Sequence, residues 1–299
     1  MSDTAAVLEG QFRAPRNMFQ VGGPEVTAAR AASARAGGSI HDDAVASKLG
    51  FKGGTVPGSV HMNQFVPQIL EIYGDKWFEH GMMSAFFTQA TVDNERVRAI
   101  AEAGDERIRL RMYNEPGDQI CEATASLTVP DEGAELVRRM DMQDPAAPGR
   151  LRILADVKVG DEQHDIPLKV TREALLRTLS TITEDIPAYS DDNILPPGTV
   201  IHLAHGVRSV VLGQQKQAVG LFGALEIRAL KGPFRADVDY VGRTKILKLT
   251  ESPRTENVWY DVTIADAKTK EDIGVVRFLI RLMKGSSPLW AEEMKAKGA

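Results

Sequence analysis

The chain of 299 residues has one cysteine, Cys121, so no internal disulfide and no cysteine-built zinc site can form. Positive charge is in short supply. Lys and Arg number 36 against 41 Asp and Glu, a formal net charge of −5, which argues against nucleic acid as the main partner because phosphate binding wants a basic surplus. No stretch approaches the roughly 20 apolar residues that span a bilayer. The first ten residues lack the basic start and apolar run of a signal peptide. These shortages point to a cytoplasmic, reducing location with no nucleic-acid or membrane partner. What remains is an ordinary folded composition, 43% hydrophobic and 26% charged, in a chain long enough for one large domain or two smaller ones.

The chain repeats itself once. Pro57-Gly58-Ser59-Val60 opens an apolar run from His61 to Tyr73, closed by Gly74. Pro197-Gly198-Thr199-Val200 opens another from Ile201 to Leu212, closed by Gly213. The offset between the opening glycines is 198 − 58 = 140. Val60, Phe65, Val66, Ile69, Leu70 and Tyr73 recur at helical spacing, and Ser59 and Thr199 are residue types suited to the N-cap. After each helix come four runs that read as strands. Ile108, Leu110 and Met112 alternate with Arg107, Arg109 and Arg111, and Val258, Tyr260, Val262 and Ile264 alternate with Trp259, Asp261 and Thr263. The pattern predicts an α+β fold in which each repeat wraps an antiparallel sheet around a central helix. The expected limits are a mobile terminus to residue 11, repeats over 12–130 and 151–290, a surface linker over 131–150 and a tail over 291–299.

The segment from Ile40 to Gly58 (Ile-His-Asp-Asp-Ala-Val-Ala-Ser-Lys-Leu-Gly-Phe-Lys-Gly-Gly-Thr-Val-Pro-Gly) resembles the MaoC-like dehydratase family of hotdog-fold proteins. Asp42, Ala46, Gly50-Phe51 and Gly58 keep that family's mutual spacing, and the two copies then imply a double hotdog over nearly the whole chain. The resemblance implies addition or removal of water across the double bond of an acyl thioester. A histidine and an aspartate would hold the water, and the amide opening the central helix would polarise the thioester carbonyl. A helix N-terminus suits that task because its N–H groups are unpaired and carry partial positive charge. The sequence departs from the family pattern in three places. Ala36 stands where the catalytic aspartate belongs, His41 directly precedes Asp42 rather than lying two residues before it, and Pro57 replaces a histidine.

The residues expected to carry the reaction are therefore His41, as the proton-transfer group, with Asp42 or Asp43 orienting it. Pro57, Gly58, Ser59 and His61 are expected to bind substrate. Each has a plainer reading. Asp42 suits the N-cap of a short helix and Asp43 its first turn; Gly58 suits a tight turn; His61, His202 and His205 suit packing. The second repeat lacks the His-Asp…Gly-Phe run, so one site is expected, in the first repeat, facing a widened cavity at the junction. The leading expectation is a hydro-lyase acting on an enoyl or 3-hydroxyacyl thioester, needing no cofactor and no metal. A hotdog isomerase, cyclase or thioesterase on a specialised substrate, and a non-catalytic acyl-binding protein, stay open beside it, as does a homodimer.

Overall fold

The computed structural model describes residues 6–17, 38–213 and 218–296. Ten strands run in chain order: β1 (Val7–Glu9), β2 (Met82–Phe87), β3 (Val97–Ala103), β4 (Ile108–Asn114), β5 (Gln119–Ser126), β6 (Glu162–Leu168), β7 (Gly220–Ala229), β8 (Tyr240–Glu251), β9 (Thr255–Asp266) and β10 (Asp272–Met283). They form one antiparallel sheet in the order β1-β3-β4-β5-β2-β7-β10-β9-β8-β6. Outward from its centre, the left half reads 2-5-4-3-1 and the right half 7-10-9-8-6. These are the same connectivity used twice. The seam is β2 against β7, with Met82 opposite Arg228 and Phe86 opposite Ala224. This is the double hotdog that the repeat predicts.

The helices are α1 (Asp43–Lys48), α2 (Gly58–Asn63), α3 (Val66–Tyr73), α4 (Lys76–His80), α5 (Glu135–Asp141), α6 (Arg172–Leu179), α7 (Pro187–Asp191), α8 (Pro197–His205), α9 (Arg208–Leu212) and α10 (Ala291–Ala296). α2–α3 and α8–α9 are the two central helices, each in two pieces. Pro67 explains the first break. It has no N–H to give the carbonyl four residues back, and its ring crowds that carbonyl, so the chain passes through the tighter bonds Gln64 N–H to His61 O and Phe65 N–H to Met62 O. Gly206, a poor helix former, sits at the second break. Met62, Phe65 and Ile69 lie fully buried between this helix and the sheet. Each such side chain contributes about 1.5–3 kcal/mol of burial.

Two segments differ from the sequence expectation. Val7–Glu9, within the stretch expected to be mobile, pairs with Glu102, Ala101 and Ile100 as an edge strand. Inside the expected surface linker, α5 lies across the seam on the outer face of the sheet. Its first N–H groups are satisfied by strand hydroxyls, Glu135 N–H donating to Thr124 Oγ1 (3.1 Å) and Leu136 N–H to Ser84 Oγ (2.8 Å). Leu136 packs with Ala224, Trp259 and Leu279, so both faces of the central strands are covered. Two arginines of the stripe meet local acids: Arg107, just before β4, forks onto Asp131 (3.0 and 3.0 Å), and Arg111 on β4 faces Glu102. Among the described residues, no helix is long and apolar enough to cross a membrane.

Candidate functional site

The loop before α2 folds back on itself, and its hydrogen bonds come from the motif residues. Asp42 caps α1, its Oδ1 accepting from Ala44 N–H (3.0 Å) and Val45 N–H (3.2 Å). α1 ends at Gly50, whose φ of +85° is the left-handed conformation that glycine reaches without strain. Asp43 Oδ1 accepts from Gly54 N–H at 2.7 Å, and Thr55 N–H donates to Ile40 O at 2.8 Å. A side chain at Gly54 would meet the His41 carbonyl oxygen at 2.5 Å, so the loop closes only around a glycine. Both aspartates thus tie down backbone and lie outside the cavity lining; the expectation that Asp42 or Asp43 orients His41 from within the site is not what the geometry provides. The carboxylates are engaged by N–H groups that the helix start and loop closure would otherwise leave unpaired.

This loop carries His41 to the wall of a cavity of about 570 Å³ between the two repeats. From the first repeat come His41, Phe51, Pro57, Gly58, His61 and Phe87; from the second come His202, His205, Arg208, Ala218, Phe222 and Ile280, among others. His41 Nδ1 lies 2.7 Å from the Thr55 carbonyl oxygen, which can only accept, so Nδ1 carries the proton and Nε2 is the basic nitrogen. Burial pushes the His41 pKa below its ordinary value, against the opposing pull of the Thr55 bond. The ring is therefore neutral at physiological pH.

The other expected residues fall as follows. Gly58 opens α2 after Pro57, and both line the cavity. A Cβ at Gly58 would lie 2.6 Å from the Phe87 ring, so the close approach that requires glycine here is made by Phe87 and not by a ligand. Pro57, rather than Ser59, holds the N-cap position, and likewise Pro196 rather than Thr199; neither helix has a side-chain cap there. Ser59 is buried two residues further in, with Oγ 3.3 Å from His202 Nε2. His61 has both ring nitrogens engaged, Nδ1–H donating to Gln64 Oε1 (3.0 Å) and Nε2 accepting from Thr91 Oγ1 (2.7 Å). That is how a packed histidine is satisfied. Ala36 lies outside the described residues.

His202 and His205 face the cavity instead of serving only as packing. His202 sits deep in the fold yet keeps open surface, and that surface is turned to the cavity. Burial and then the nearby His41 push its pKa down to about 4. His205 meets Phe222 edge-on at 5.1 Å between ring centres. Burial, then Arg208, His202 and His41 push its pKa down to about 3. The repeat itself holds the signal for these residues: 140 positions after Met62, Phe65 and Gln68 stand His202, His205 and Arg208, three apart along one helical face.

The two helix openings are not equivalent. Gly198 N–H donates to Asn63 Oδ1 at 2.8 Å, and a Cβ at Gly198 would meet the Ser59 carbonyl oxygen at 2.8 Å. The amino end of α8 is therefore filled by α2. The position matching Asn63 in the second repeat is Leu203, whose side chain has no acceptor to offer Gly58. Only the opening at Gly58 borders the cavity. No Asp or Glu stands among the described lining residues.

No protein-family model matches the chain, and no curated protein matches it by sequence. Solved structures do. A MaoC domain protein from Chloroflexus aurantiacus J-10-fl superimposes with a TM-score of 0.58 at 12% identity, over 93% of this chain and 95% of that one. A conserved hypothetical protein of Mycobacterium tuberculosis described as a double hotdog gives 0.59 at 12% identity, over 94% and 96%. A MaoC-like dehydratase gives 0.53 at 13% identity, over 94% and 98%. The chain has the double-hotdog fold shared with MaoC-like dehydratases.

Proposed function

We propose that the protein is a hydro-lyase that adds or removes water across the double bond of an acyl thioester, in the cavity between its repeats. The observation that carries this reading is His41: a half-buried, neutral imidazole whose Nδ1 is anchored on Thr55, so that Nε2 is the basic nitrogen, on the wall of the same cavity as the helix opening at Gly58. In the hydration direction a water gives its proton to Nε2 as its oxygen bonds to C3 of the enoyl group. The π electrons move to the thioester oxygen, and the Gly58 N–H stabilises that developing enolate. The His41 imidazolium then returns the proton to C2, restoring the neutral ring. His202, paired with Ser59 across the helix interface, is a positioning residue that holds the water where an aspartate would otherwise act. The shared fold supports the reading, since structures so described include a MaoC-like dehydratase.

The lack of a carboxylate among the described lining residues favours one other reading, an acyl-binding protein without catalysis. Incubation with crotonyl and longer enoyl thioesters separates the two. The hydro-lyase reading expects loss of the conjugated absorbance, slowed at least ~100-fold in His41→Ala, the lower range for a general acid–base group. Saturable binding with no absorbance loss would leave only the acyl-binding reading.

A further inference from the structure

Arg208, the first residue of α9, lines the cavity and makes no hydrogen bond or ion pair with any described residue. An arginine stays protonated throughout the physiological range, and a largely enclosed guanidinium without a counter-charge is costly. Its surroundings supply none. His205 and Tyr260 are held neutral by burial, and the lining contains no described acid. The fold nevertheless makes room for the group: a Cβ at Gly220 on β7 would lie 2.9 Å from Arg208 Nη2. Space cleared around an unmatched cation is what an anion subsite requires.

We propose that Arg208 binds a carboxylate at the far end of the acyl chain, so that the cavity selects thioesters of dicarboxylic acids. The inference rests on the thioester reading above and specifies its substrate. The first repeat supplies His41 and Gly58, where the thioester end would lie, and the second supplies Arg208. The second-repeat wall also carries the apolar Ala218, Phe222 and Ile280, and its other arginine, Arg281, lies over the Phe86 ring at 5.1 Å. Apolar side chains beside a cation that has no counter-charge fit a short acyl chain with a terminal carboxylate, which a guanidinium grips by two parallel hydrogen bonds. The phosphates of a coenzyme carry the same chemistry, but they are large and heavily hydrated and suit a pocket mouth better than an enclosed site.

Calorimetric titration of the whole protein with succinyl-coenzyme A, butyryl-coenzyme A and coenzyme A alone tests this. Succinyl-coenzyme A should bind at least ~10-fold more tightly than butyryl-coenzyme A, which is about 1.4 kcal/mol. In Arg208→Gln the ratio should fall to within about twofold, the charged donor being gone. Should that variant not fold, Gly220→Ala, which displaces the guanidinium through its new methyl group, should also shrink the ratio. A wild-type ratio near one, or a ratio that survives both substitutions, overturns the proposal. So does an equal loss of affinity for coenzyme A alone in Arg208→Gln, which would assign the cation to the carrier's phosphates. Equal binding of both thioesters refutes only the carboxylate subsite, whereas no binding of any thioester refutes the reading of the cavity as well.

Discussion

A histidine walled off from water gives up its proton more readily than one in solvent, because the charged form loses more hydration on burial than the neutral form. His41, His202 and His205 all follow that rule, and His41 lowers the proton affinity of His202 and, with Arg208 and His202, that of His205. The sign for catalysis follows. If neutral His41 is the base, activity needs the unprotonated ring, and a lowered pKa moves the acid limb of the profile downward. The kcat/KM of hydration should therefore stay level as pH falls through 6.5, the ordinary imidazole value, and decline only below it. A profile already halved at or above that value would show that the base is solvent-exposed or is another group. The sequence expectation put His41 in the site, and in the structure it lines the cavity; the supports expected for it do not. The aspartates beside it looked like catalytic partners because sequence adjacency does not reveal which way a side chain points. They serve the turn, as their plainer reading held.

At the scale of elements, the four strands after each central helix and both central helices were legible, because alternation at period two and at 3.6 records which face is buried. The helix α5 was not. Its burial depends on hydroxyls at Ser84 and Thr124, on strands far away in sequence. The breaks at Pro67 and Gly206 were visible residue types whose effect is clear only once helical bonds are traced. The asymmetry of the two helix openings rests on a single exchange between repeats, Asn63 against Leu203. Asn63→Ala should leave the buried Gly198 N–H without an acceptor and cost about 1–3 kcal/mol of unfolding free energy, measured by denaturant titration. Asn63→Asp, which keeps an acceptor on the same stem, should recover part of that loss. A stability unchanged in Asn63→Ala would mean that water or backbone movement satisfies the amide, and that the second opening is not sealed as described.

For the whole molecule, duplication gives one continuous sheet, two packed helices and a shared space between them. The two halves have diverged into different jobs: the first brings the loop with His41, and the second brings the histidine and arginine face of α8 and α9. Only the first repeat has the His-Asp…Gly-Phe run, and of the two helix openings it is that repeat's Gly58 which borders the cavity. The sequence expectation placed a cavity at the junction but not His202, His205 and Arg208 on its wall, since that depends on how α2 crosses α8.

The most direct test is a crystal structure of the protein with a saturated acyl thioester bound. The account predicts one molecule per chain in the junction cavity, its carbonyl oxygen within hydrogen-bond reach of Gly58 N–H and C3 facing the imidazole of His41. A thioester seated at the Gly198 opening, or bound with its carbonyl remote from Gly58, would contradict it.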